Sequence, residues 1–293
     1  MLEAVPNVSE GRDLSAIQAI GTAFAQRAAV LDVHSDADHH RSVYTLAAEA
    51  DPLVESLLEG IASAFARIDL RAHEGVHPRI GAVDVVPLVP LAAGEMEAAK
   101  RAARAVAERV AGGLGVPVFL YGELGGGRRP AFFRRGGTAG LARRLEAGEL
   151  APDLGPARLD PRLGAVLVGA RPPLVAYNVD LAAGDVDAAR AIAAAIRESG
   201  GGMRGVQAIG LYLPHSGRVQ ISMNVLDLES SPLHAVVERV RREASERGIA
   251  VAGGELVGLV PEQVLAAAAE AGISIDGVDE SRVLERAVQA RSL

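Results

Sequence analysis

Five of the seven histidines, His34, His39, His40, His73 and His77, fall within 44 residues, and this density asks whether they hold a metal or move protons. The string at 73–77 (HEGVH) matches the zinc-protease pattern H-E-x-x-H, which works only when a helix brings both imidazoles to one face. Gly75 lies inside the string and Pro78 follows it, biasing His77 toward extended backbone, so a helix is not expected and the spacing carries no zinc geometry. A mixed metal site from His39, His40 and Asp36 or Asp38 stays open beside the plain reading of a hydrated turn. His77 is expected to stand at the mouth of a loop, next to Arg79 and ahead of Gly81, where a glycine permits close approach of another chain or a ligand. An imidazole held there suits general acid–base work, because its ordinary pKa of about 6.5 lets it accept and return a proton at neutral pH. The alternative is a ring that merely tethers the loop.

Other chemistries drop out. The absence of cysteine excludes thiol nucleophiles, zinc thiolates and disulfides. No G-x-x-x-x-G-K-[ST] run or G-x-S-x-G elbow occurs, and the triplet Gly125-Gly126-Gly127 lacks dinucleotide-site spacing. A net charge of -7 and 3% aromatics argue against nucleic acid as the main partner. One local exception is the segment holding Arg128, Arg129, Arg134, Arg135, Arg143 and Arg144, six arginines in 17 residues without an acidic side chain, which could meet an anion.

The elements that must position these residues follow from apolar spacing. Strands are expected at 2–8, 29–35, 41–48 and 81–90, with helices from Asp13 to Ala25 and over 52–67. The order β-α-β-β-α-β then recurs after residue 172, with strands at 174–181, 206–213, 218–226 and 249–258 and helices at 185–199 and 232–247. This pattern predicts a mixed α/β (α+β) protein of two tandem ferredoxin-like βαββαβ subdomains, residues 1–172 and 173–293, with mixed or antiparallel sheets and a ligand cleft between them. Between the halves come a helix at 94–111, a strand at 116–121, a glycine and arginine segment from Gly122 to Gly148, and a proline-rich stretch from Pro152 to Pro173, whose prolines prevent a continuous helix. So long a connection suits a binding loop. No run approaches the length of a membrane span, and the first dozen residues lack the apolar core of a signal peptide, so a soluble cytoplasmic protein is expected.

Seven strings in collinear order, VPNVSEGRD at 5–13, DHHRSVYTL at 38–46, HEGVHPRIGAVDVVPLVP at 73–90, GVPVFLYGE at 115–123, APDLGP at 151–156, GARPPLVAYNVDL at 169–181 and ELVGLVP at 255–261, resemble the glutamate formimidoyltransferase family. The likeness covers about 260 of the 293 residues. It implies transfer of the formimino group of N-formimino-L-glutamate to N5 of tetrahydrofolate, a step of histidine breakdown and one-carbon metabolism. Tetrahydrofolate would serve as co-substrate without a metal, in a homodimer. The chain ends too early for the cyclodeaminase domain fused to this module in mammals, so a stand-alone transferase is expected. The resemblance makes His77, the histidine followed by Pro-Arg, the catalytic one, and puts folate contacts at Gly155 to Gly164, including Pro156 and the arginine Arg158. Asn7, His40, Arg41, Arg79, Asp84 and Asn178 complete the candidate binding set, with the arginines holding substrate carboxylates and Asp84 or Glu74 orienting the imidazole. At position 40 the family usually has asparagine where His40 stands here. Competing functions are a formyltransferase using formylglutamate, a metal-dependent hydrolase built on the His34 to His77 cluster, and a non-catalytic folate-binding protein.

Overall fold

The computed structural model describes residues 1–291, and the chain divides into two compact units, Met1–Pro172 and a second that starts at Pro173. The first unit opens with two short strands, β1 (Leu2–Ala4) and β2 (Asn7–Val8), then α1 (Leu14–Phe24), β3 (Ala29–Asp36), β4 (Arg41–Ala48), α2 (Ala50–Arg67) and β5 (Val83–Pro90). β1 and β2 both lie between β4 and β5, antiparallel to each, and β3 pairs with β4 on its far side. That is the strand order of a ferredoxin-like βαββαβ unit. The expected single strand at 2–8 is in fact two, because Val5 and Pro6 interrupt it and proline supplies no N–H to a ladder.

Beyond β5 the sheet continues in parallel. α3 (Met96–Gly113) leads to β6 (Val118–Gly122), and after α4 (Pro130–Phe133) and α5 (Gly137–Glu146) the chain returns as β7 (Val166–Ala170). β7 inserts between β5 and β6. The segment 122–148, for which the sequence pattern assigns no elements, holds two helices, and the proline-rich stretch, where the prolines exclude only a continuous helix, contains the strand β7. The helical signal of 122–148 is diluted by glycines, of which Gly126, Gly127, Gly136 and Gly137 have positive φ. β7 reads as a short apolar run with no alternation, as parallel strands buried on both faces do.

Helices α1, α2 and α3 cover one face of this sheet with a core that includes Phe24, Tyr44, Leu57, Ile61 and Val106. On the opposite face, Phe133 of α4 and Leu141 of α5 close over Val85, Phe119, Tyr121 and Leu167. Arginines stitch this small cover down: Arg128 lies over the Phe133 ring and Arg144 over the Phe132 ring.

The second unit is β8 (Val175–Leu181), α6 (Val186–Ile196), β9 (Val206–Leu213), β10 (Arg218–Val225), α7 (Leu233–Ser245) and β11 (Val251–Val257), followed by α8 (Glu262–Glu270) and α9 (Leu284–Arg291). Its four strands run antiparallel in the order β11-β8-β10-β9, again the ferredoxin-like arrangement. Alternation sends Val175, Tyr177, Val179 and Leu181 of β8 into a core with Ile192, Val236 and Val240, separate from that of the first unit. The expected mixed α/β architecture of two tandem units is therefore the one observed. No helix among the described residues is long and apolar enough to cross a membrane.

Candidate active site

Asn7 on β2, Arg41 at the start of β4 and Asp84 on β5 occupy neighbouring strands, and the loop after α2 brings His77 to them. Arg41 is the hub. Its Nη1 donates to Asn7 Oδ1 at 3.2 Å and stands 3.4 Å from His77 Nε2, while its Nη2 donates to Asp84 Oδ2 at 2.9 Å and to the Pro78 carbonyl at 3.3 Å. Asp84 is fully buried, takes a backbone N–H from Ile80 at 2.9 Å on Oδ1, and receives a second guanidinium, Arg134 Nη2, at 2.6 Å on Oδ2. Burial pulls the Arg41 guanidinium down to about 9; Asp84 works against that fall, and Arg134 and Arg79 deepen it.

The His77 ring is half-buried, and its Nδ1 lies 2.8 Å from the Pro78 carbonyl. A carbonyl oxygen only accepts, so Nδ1 carries the hydrogen and Nε2 presents its lone pair. Desolvation, then Arg41, Arg134 and His39, hold its pKa well below 6.5, with the Pro78 carbonyl opposing. The site thus keeps a neutral base with a fixed tautomer. The expected carboxylate orienting the ring is a correction: a backbone carbonyl does this, Asp84 is bonded to guanidiniums, and Glu74 contributes its carbonyl to His40.

Arg79 does something other than wait for a substrate carboxylate. Buried, it donates to the carbonyls of His39 at 2.6 Å, His40 at 2.9 Å and His77 at 3.0 Å, and so fastens the loop to the turn between β3 and β4. Gly75 lets the two segments meet, since a Cβ there would stand 2.6 Å from the His39 carbonyl. His40 has φ +48°, the left-handed region that asparagine tolerates better than most residues. Its ring compensates by stacking on His73, centroids 3.9 Å apart, with Nδ1 at 2.8 Å from the Glu74 carbonyl and Nε2 at 3.1 Å from Glu10 Oε1. The HEGVH string is non-helical, and His73 and His77 do not converge on a common point. Among the described residues no group of three histidine, aspartate or glutamate side chains is arranged to hold a metal ion.

The 155–164 segment reaches this region through its end. Gly164 is buried at φ +70°, and a Cβ on it would come 2.1 Å from the Ile80 carbonyl; Gly81, opposite, would meet the Ala165 carbonyl at 2.0 Å. The close approach expected at Gly81 is therefore made by the chain itself. Gly155, Pro156 and Arg158 are exposed. Asn178 lies in the second unit, buried on β8, with Nδ2 3.4 Å from Glu255 Oε2 of β11. Sequence reasoning missed Arg134 as a member of the site and Tyr121 as its buried neighbour, whose hydroxyl burial raises to about 12. The arginine-rich segment was the available signal for Arg134, but spacing could not say which of its guanidiniums turns inward.

In the first unit a neutral histidine stands among guanidiniums that share one buried carboxylate, a setting suited to proton transfer. The chain belongs to the formiminotransferase family: the formiminotransferase N-terminal subdomain matches residues 1–171 and the second formiminotransferase domain residues 176–288. It is 37% identical to the glutamate formimidoyltransferase of Thermoplasma acidophilum, over 99% of this chain and 97% of that one. The glutamate formimidoyltransferase of Streptococcus pyogenes serotype M1 is 36% identical over 97% of both chains. The formimidoyltransferase-cyclodeaminase of Sus scrofa is 42% identical over 92% of this chain, which spans 52% of that relative.

Proposed function

We propose that this protein transfers the formimino group of N-formimino-L-glutamate to N5 of tetrahydrofolate, releasing glutamate, with His77 as the single general base and acid. Family membership over residues 1–171 and 176–288 supports the reaction, and the observation that carries the role of His77 is its neutral ring with Nδ1 tied to the Pro78 carbonyl. The donor is an amidinium at neutral pH. N5 attacks its carbon, and the tetrahedral adduct must lose a proton from N5. His77 Nε2 takes it, and the imidazolium, made acidic by desolvation and by Arg41 and Arg134, returns it to the α-nitrogen of glutamate as the carbon–nitrogen bond breaks. The formimino group stays on N5 as its amidinium, and one proton has changed nitrogen.

Asn7 orients Arg41, and Asp84 holds Arg41 and Arg134 together. His40 and Arg79 keep the loop seated, and Gly155, Pro156, Arg158 and Gly164 belong to a folate-contacting segment, of which Arg158 is exposed and ready for the glutamyl carboxylates of the cofactor. The protein acts as a cytoplasmic homodimer, with tetrahydrofolate as co-substrate and without a metal.

The test is a spectrophotometric assay of the purified protein with tetrahydrofolate and formiminoglutamate or formylglutamate in turn, on the parent, His77→Ala and His77→Asn. Formiminoglutamate should be the preferred donor, and both variants should lose about a hundredfold or more in turnover with tetrahydrofolate binding retained. Turnover within a few fold of the parent removes His77 from the chemistry, and a preference for formylglutamate replaces the donor.

A further inference from the structure

Arg134, from the arginine-rich segment, reaches Asp84, and it uses little of its donor capacity there. Among the described residues it donates through Nη2 alone; its Nε is shut off from solvent with no acceptor, as is the Nε of Arg41 beside it. Two guanidiniums therefore share one carboxylate oxygen, Asp84 Oδ2, while their side chains keep 11% (Arg41) and 15% (Arg134) of their surface open. One carboxylate balances only one of the two cationic charges, and an incoming carboxylate that meets the open side of the pair by charge-assisted hydrogen bonds balances the other.

We propose that Arg134, with Arg41, binds the α-carboxylate of the formimino donor; the inference rests on the reaction assigned above. The argument is one of distance along the donor. Arg41 Nη1 lies 3.4 Å from His77 Nε2, so whatever these guanidiniums hold is next to the nitrogen that exchanges the proton. In formiminoglutamate the α-carboxylate is two bonds from that leaving nitrogen. The side-chain carboxylate is two methylenes further, and the carboxylates of folate lie beyond its benzoyl ring.

The experiment compares formiminoglutamate with formimino-4-aminobutyrate, which lacks only the α-carboxylate, on the parent, Arg134→Gln and Arg134→Lys. In the parent, loss of the carboxylate should raise KM about ten- to a hundredfold. Arg134→Gln should raise KM for formiminoglutamate by a similar factor, leave KM for tetrahydrofolate nearly unchanged, and erase the discrimination between the donors; Arg134→Lys should recover part of it. A rise in KM for tetrahydrofolate in place of the donor assigns the arginine to a folate carboxylate and overturns the proposal. Equal losses with both donors make Arg134 a purely structural residue and overturn it too. Should Arg134→Gln fail to fold, absence of donor discrimination in the parent has the same force. Calorimetry with the unreactive probes N-acetyl-L-glutamate and N-acetyl-4-aminobutyrate separates this proposal from the assigned reaction. Arg134-dependent preference for acetylglutamate without any formimino transfer upholds the carboxylate site and removes the reaction, whereas transfer that is indifferent to Arg134 does the reverse.

Discussion

At the level of single residues, the site is defined by which groups are denied charge. His77 and His73 both sit below the ordinary imidazole value, His73 at about 4 because of burial and then Arg79 and His40. A lowered histidine pKa means that the unfolded chain binds protons the folded chain refuses, so stability is full above the unfolded value of 6.5 and falls as pH drops through it. For His73 the window runs from 6.5 to about 4. Urea melts across that range should show a steady loss, and His73→Gln should flatten part of the slope; a flat parent would contradict the burial argument. The same lowering keeps His77 a free base, so the acid limb of kcat/KM should lie below pH 6.5, set by His77 in the free enzyme.

At the level of elements, the Gly81 and Gly164 contact fixes how the 155–164 segment meets the loop that carries His77. Gly164→Ala combines left-handed strain with a Cβ driven into the Ile80 carbonyl, a loss of about 2–4 kcal/mol in stability. Chemical denaturation measures it directly, and in the assay KM for tetrahydrofolate should rise as kcat falls; an unchanged midpoint would remove the clasp. This is also where the sequence was legible and where it was not. The strands at 41–48 and 206–213 were readable to the residue because alternation or β-branched runs end in polar turns. Gly75 and Pro78 announced that the HEGVH string is not a helix, and it is not one. β7 was hidden because a strand buried on both faces has no period to read, α4 because four residues are too few to show one, and α5 because glycines dilute its helical pattern. Arg79 was misjudged since a guanidinium in a loop looks the same in sequence whether it meets a carboxylate or three carbonyls.

At the level of the whole molecule, each unit has its own sheet and its own apolar core among the described residues. Residues 173–291 should therefore fold when produced alone and unfold in a single cooperative thermal transition followed by circular dichroism, while catalysing no transfer, since His77, Arg41 and Arg134 lie in the first unit. A non-cooperative melt would show that this unit lacks an independent core. The chain carries a net charge of -7, yet its candidate site is cationic, so the acidity resides elsewhere on the molecule and leaves the site its attraction for carboxylate-bearing ligands.

The place of β7 between β5 and β6 has a further consequence for synthesis on the ribosome. The edge of β5 is exposed when residue 90 emerges, but the strand that covers it ends only at residue 170. At roughly 5–20 residues per second, the nascent chain waits about 4–16 s with a hydrophobic ladder half made and β6 already available as a wrong neighbour. Slow translation through this stretch prolongs that exposure, and a chaperone that recognises unpaired strand edges would find its substrate there.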